Sequence, residues 1–180
     1  MAQTYQQMLS QAISKGKVAD AQSWFDTTYQ NLSSKNTINV ISNGDDRLTK
    51  SLSIGKMYLF QYDPKFKETL PKYDRFPLIF PFERTEGGFL GINFHYLPYG
   101  QRAALLDNLM ALATSKSFTD SMRVAMNYKL LKSTSKFGLF QDCVKKYLNS
   151  HVRSRFFYIK PEEWSKAILL PLDDFVYKKK

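Results

Sequence analysis

Three short aromatic stretches, Met57 to Tyr62, Pro77 to Phe82 and Phe89 to Leu97, lie between proline and glycine residues that no long helix could accommodate. They read as strands, because aromatic and branched side chains in short runs between turn residues suit a pleated, packed surface. In the third, Leu90, Ile92, Phe94 and Tyr96 point one way and Gly91, Asn93 and His95 the other, which is the alternation of a sheet with one buried face. The first has no polar face. Tyr58, Phe60 and Tyr62 share one side and Met57 and Leu59 the other, so this strand needs cover on both. Glu86-Gly87-Gly88 supplies the turn between the second and third strands, since glycine reaches positive φ without steric cost.

The flanks have a helical period. Tyr5, Leu9, Ala12 and Ile13 share one face, and Val18, Ala21, Phe25, Tyr29 and Leu32 another, with Gly16 between them, so residues 1–34 read as a helical hairpin. Residues 35–54 are polar and aperiodic and read as a linker. Beyond Pro98, Leu105, Leu106, Leu109, Met110 and Ala113 form a stripe, and Thr119 is an N-cap for a helix bearing Met122, Ala125, Met126 and Leu130. Phe137, Phe140, Val144, Tyr147 and Leu148 predict a third helix. Residues 152–159 and 167–172 read as strands around a single turn at Pro161-Glu-Glu-Trp164. The expected architecture is α+β over residues 55–177: a sheet at 56–97, a three-helix insertion at 98–150, C-terminal strands at 152–172 and a basic tail at 178–180. The strands form either a small antiparallel sheet or a five-stranded barrel of the Src-homology type.

Charge sharpens the functional question. The 180 residues hold 26 Lys and Arg against 16 Asp and Glu, a net charge of +10, and residues 119–160 alone hold nine basic and two acidic side chains. Clustered cations raise the local potential and imply an anionic partner. Lys129, Lys132 and Lys136 recur at helical spacing, Lys145 and Lys146 lie opposite an apolar stripe, and Arg153 and Arg155 share one face of a strand. These seven are the candidate phosphate or acidic-protein contacts. The loop from Asp63 to Phe76 is a candidate protein interface, with Phe66, Leu70, Tyr73, Arg75 and Phe76 as its anchors.

Catalytic and metal patterns are sparse. His95 could act as a general base if a carboxylate such as Asp74 or Asp107 lay beside it, but reads more simply as a hydrogen-bonded structural histidine. Two distant histidines and one cysteine, Cys143, do not make a metal site, and no phosphate-cradling glycine loop precedes a helix. No cofactor is expected and no enzyme. The lone cysteine suits a reducing compartment, and no apolar run approaches the roughly 20 residues of a membrane span. The opening Met-Ala-Gln-Thr-Tyr-Gln-Gln lacks the charged head and apolar stretch of a signal peptide.

The runs Gly55-Lys-Met-Tyr-Leu-Phe-Gln-Tyr-Asp-Pro64, Leu70-Pro-Lys-Tyr-Asp-Arg-Phe-Pro-Leu78 and Gly88-Phe-Leu-Gly-Ile-Asn-Phe-His-Tyr-Leu-Pro98, with Val152-Arg-Ser-Arg155, resemble a late protein of T-even-like contractile-tailed bacteriophages. The resemblance spans residues 55–172 and implies a virion or genome-handling protein, with no catalytic residues to carry over. A fainter likeness to barrel-shaped ribonuclease toxins rests on Gly55-Lys-Met-Tyr and Arg75-Phe-Pro-Leu, but Arg75 has no acid-base partner in the sequence. The leading expectation is a non-enzymatic structural component of the baseplate, tail or neck, working within a larger complex of phage structural proteins. The alternative is a sequence-independent DNA-binding protein acting on genome ends or packaging. Either places the chain in the virion, and in the host cytoplasm during assembly, away from membranes.

Overall fold

A computed structural model describes residues 4–14, 23, 47–167 and 176–178. The second N-terminal helix expected over Val18 to Leu32, most of the 35–54 segment, residues 168–172 of the last expected strand and Lys179-Lys180 lie outside the described residues. Helix α1 (Tyr5–Ser14) is followed by strands β1 (Leu48–Thr49), β2 (Met57–Leu59), β3 (Lys72–Asp74), β4 (Leu78–Thr85) and β5 (Gly88–Asn93). Helices α2 (Tyr99–Thr114), α3 (Asp120–Thr134) and α4 (Gly138–Gln141) come next, then β6 (Val144–Leu148), β7 (Phe156–Ile159), α5 (Trp164–Ala167) and β8 (Val176–Lys178). The class is α+β. Six strands form one antiparallel sheet in the order β1-β7-β2-β4-β5-β6, and β3 pairs with β8 in a separate ribbon. Among the described residues β1 and β6 each pair on one side only, so the antiparallel-sheet alternative describes this sheet.

The sheet's two faces are packed by different chemistry. On one, Met57, Leu59, Leu78, Phe80 and Ile92 meet Leu105, Leu106 and Leu109 of α2, Leu131 of α3 and Trp164. On the other, Tyr58, Phe60, Tyr62, Ile79, Phe89, Tyr147 and Phe156 form an aromatic cluster. Phe60 sits at its centre, edge-on to Phe156 at 5.1 Å and Tyr147 at 5.4 Å, the arrangement aromatic quadrupoles favour. The residues of β2 are therefore buried on both faces by the chain's own side chains. Fully burying each such side chain is worth about 1.5–3 kcal/mol.

The helices follow the expected signals except at two places. Thr119 caps α3, its Oγ1 accepting from the Met122 amide at 3.3 Å, and Pro161-Glu-Glu forms the expected turn with Trp164 buried behind it. Asp107 of α2 caps α1, accepting from the amides of Tyr5 and Gln6. On α3, however, Leu131 is buried while Met122, Val124 and Met126 face outward. The expected third helix is one turn, Gly138–Gln141, and Val144 to Leu148 is strand β6 on the edge of β5. Val144, Tyr147 and Leu148 satisfy helical spacing, but a short apolar run cannot choose by period alone, and the open edge of β5 decides. Within the expected linker, Leu48-Thr49 pairs with Phe156-Phe157, and Arg47 bonds Glu163 while lying 4.5 Å over the Phe157 ring. In the expected basic tail, Lys178 belongs to β8, opposite Lys72.

Two adjacent glycines have different jobs at the β4–β5 turn. Gly87 has φ +70° with open space around it, whereas a Cβ on Gly88 would lie 1.9 Å from the Tyr147 carbonyl oxygen. Gly88→Ala therefore requires β5 and β6 to part. We expect it to lower stability by at least about 1–3 kcal/mol, against about 1 kcal/mol for the purely conformational Gly87→Ala. Chemical denaturation of the two variants tests the ranking, and equal losses would contradict it.

Candidate nucleic-acid interface

The second ribbon is fastened to the sheet by a buried polar network. Asp74, at the end of β3, is 5% exposed, and Asn93 and His95 are fully buried. Asp74 Oδ1 accepts from the Phe76 amide at 2.9 Å, while Oδ2 accepts from Asn93 Nδ2 at 3.0 Å and lies 2.6 Å from His95 Nδ1. Asn93 Nδ2 also donates to the Tyr147 hydroxyl at 3.0 Å, and Asn93 Oδ1 accepts from the His95 amide. Burial pushes the Tyr147 phenol well above its ordinary pKa, so it stays neutral. The sequence condition for a general base is thus met in part: Asp74 is the carboxylate beside His95. Yet the imidazole has no solvent exposure, which makes the pair a tie between elements.

Over this network lies a cavity of about 310 Å³ between the Asp63–Phe76 loop, β3 and β6. Asp74, Asn93 and Tyr147 contribute to its lining, and Phe66, Leu70, Tyr73 and Tyr96 supply apolar surface. Its cations are Lys65, Lys72, Lys145 and Lys146. Lys72 and Lys145 approach the same Tyr96 ring, 5.3 Å and 4.5 Å from its centroid, and Lys65 lies 5.2 Å over Phe66. Burial first, and the Lys72 charge in addition, hold the Lys145 ammonium below its usual pKa.

This cavity opens a basic band. A second cavity, of about 340 Å³, shares Tyr62 and Tyr73 with it and adds Lys67, Arg75 and Arg153. A third, of about 640 Å³, shares Arg153 and adds Lys50, Arg84 and Arg155. Together the three are lined by ten cationic side chains and three carboxylates, Asp63, Asp74 and Glu83. Two of those carboxylates are occupied at the rim: Asp63 by Lys67 and Arg153, which hold its pKa down, and Glu83 by Lys132 at 3.0 Å.

Two residue sets that the sequence kept apart converge here. Phe66, Leu70 and Tyr73 of the expected protein interface share a cavity with Lys145 and Lys146 of the expected anion site, while Arg75 joins Arg153 in the next. Phe76 turns inward against the core. Arg153 and Arg155 line the largest of these three cavities. Lys129, Lys132 and Lys136 ride on or beside α3 and line none of the three, with Lys132 drawn to Glu83 and the Tyr128 hydroxyl. Sequence reasoning missed Lys65, Lys72 and Tyr96. The signal lay in Lys65 and Lys72 flanking Phe66 and Tyr73 in one loop, an interleaving of basic and aromatic residues.

A family model described as phage T4 terminal DNA protecting protein matches residues 3–180. The chain belongs to that family. No curated protein and no solved structure matches it. Membership bears out the resemblance to T-even-like phage proteins and extends it across nearly the whole chain. The family's description speaks of DNA ends and names no tail, baseplate or neck, so the DNA-end alternative takes precedence over the tail-component reading.

The buried network makes a direct test of what shapes the cavity. Asn93→Ala strips donors from Asp74 and Tyr147 and should cost about 1–3 kcal/mol. Tyr147→Phe removes one of those partners, so the double variant should fall short of the sum of the single losses. Urea denaturation of the four proteins measures the coupling, and strict additivity would show that the network does not act as a unit.

Proposed function

We propose that this chain occupies the ends of linear phage DNA as a sequence-independent, non-enzymatic binder, shielding the terminus by covering it rather than by chemistry. The observation that carries the reading is the basic band: three cavities joined through Tyr62, Tyr73 and Arg153, in a family described as protecting terminal DNA. Lysine and arginine rows that track a backbone recognise phosphate in any sequence, because the charge is the same at every step. In this reading the protein meets the genome in the host cytoplasm during assembly and travels with it in the virion. The aromatic side chains of the first cavity then belong to a nucleic-acid surface and not to a tail-protein interface.

Affinity for a linear duplex should exceed that for the same duplex closed at both ends by hairpin loops. Engagement of about five phosphates would give a slope of about −4 to −5 in log affinity against log salt, so binding should fall by orders of magnitude between about 50 and 200 mM. Lys145→Glu with Lys146→Glu, and separately Arg153→Glu with Arg155→Glu, should each weaken binding at least about tenfold and shorten the time for which an added exonuclease is held off. Fluorescence anisotropy and an exonuclease time course provide the readouts. Equal affinity for open and closed duplexes, or salt-independent binding, would overturn the proposal.

A further inference from the structure

Five cations elsewhere on the described surface have carboxylate partners: Arg47 with Glu163, Lys67 and Arg153 with Asp63, Arg123 with Asp120, and Lys132 with Glu83. The first cavity is different. Among the described residues, Lys65, Lys72, Lys145 and Lys146 make no ion pair, although Lys72 and Lys145 are both held against one ring. Two ammonium groups beside one ring repel each other: burial first, and the Lys72 charge in addition, lower the Lys145 pKa while Asp142 opposes that shift, so an added anion would relieve the repulsion. The cavity's carboxylate, Asp74, cannot serve, because both its oxygens are committed to Phe76, Asn93 and His95 beneath.

Size and apolar surface narrow the class of anion. About 310 Å³ is near the lower limit of small-ligand pockets, too small for a duplex and suited to one flexible unit of chain. At its mouth Phe66 is 62% exposed, an outward-facing ring beside a lysine, which is the composition of a stacking platform for single-stranded bases. Asn93, the amide best placed to read a base edge, is already bonded through Nδ2 and Oδ1. A site with committed polar groups, lysines and open rings holds phosphate and base without discriminating among bases.

We propose that this cavity receives one unpaired nucleotide at the DNA terminus, its phosphate held by Lys72 and Lys145 and its base stacked on Phe66. The proposal rests on the DNA-end reading and specifies what the end presents: a frayed or overhanging nucleotide rather than the last closed pair. A terminal base is the cheapest in a duplex to unstack, so the site needs little energy to fill.

The test uses the full chain and linear duplexes that are blunt, carry a single-nucleotide overhang, or carry the same overhang with an abasic sugar. Wild type should bind the overhang more tightly than the abasic form by about 5- to 150-fold, the range of one stacked base. Phe66→Ala should remove most of that difference while costing less than about twofold on the abasic duplex, so that ring and base are coupled in a cycle. Lys72→Gln should weaken both, since the phosphate remains. Thermal melting of the variants reports their folding, which an exposed ring should not alter. If the abasic and intact overhangs bind alike, or Phe66→Ala costs the same on each, the nucleotide site is refuted while end binding stands. If wild type does not prefer open over hairpin-closed duplexes, the underlying DNA-end reading fails instead.

Discussion

A single buried carboxylate ties the surface of this protein to its core. The β3–β8 ribbon lies outside the six-stranded sheet, and its side-chain link to that sheet runs through Asp74, which gathers the Phe76 amide, the Asn93 amide group and the His95 ring. A backbone bond from the Tyr62 amide to the Arg75 carbonyl assists it. A buried charge is costly unless it is fully partnered, and for that reason a fully partnered one fixes geometry tightly. The loop carrying Phe66, Leu70 and Tyr73 is thereby held over β6, and the distance between Lys72 and Lys145 is set from below.

Burial of β2 on both faces is the second constraint. Its Met57 and Leu59 side joins the helices, while Tyr58, Phe60 and the following Tyr62 lock β6 and β7 through Tyr147 and Phe156. Tyr147 belongs to both systems: its ring stacks with Phe89 at 5.4 Å in the aromatic cluster and its hydroxyl accepts from Asn93. Core packing and cavity floor are therefore mechanically continuous. Strain in the aromatic face would reach the lysines above it.

Strands β2, β4, β5 and β7 were legible because proline, glycine and aromatic residues punctuate them, and Thr119 and Pro161 announced their helical starts through local bonds that need no tertiary partner. Strand β6 was not legible in the same way. Val144, Tyr147 and Leu148 fit both periods, and only pairing with β5, more than fifty residues earlier in the chain, resolves them. The error mattered for function. Read as helix, Lys145 and Lys146 fall on an outer face; read as strand, they reach the cavity that also holds the Asp63–Phe76 loop. What the sequence separated into a protein interface and an anion site is one surface, because long-range strand pairing brings the two segments together.

Charge density along the chain was a poorer guide than charge pairing in space. Residues 119–160 hold the greatest excess of basic side chains, yet Lys132 is partnered by Glu83, and Lys129 and Lys136 line none of the three cavities. By contrast, the loop with Lys65 and Lys72 stands out in sequence for its aromatic anchors, yet its lysines share a cavity with Lys145 and Lys146 in which the lining carboxylate, Asp74, is committed to Phe76, Asn93 and His95. A partnered cation adds little to an external phosphate, since binding must first give up the existing pair; an unpartnered one beside low-dielectric aromatic surface gives its whole field to the ligand. In the proposed reading, affinity for an anionic chain end should accordingly concentrate at the Tyr96 side of the band rather than at Arg153, which is tethered to Asp63.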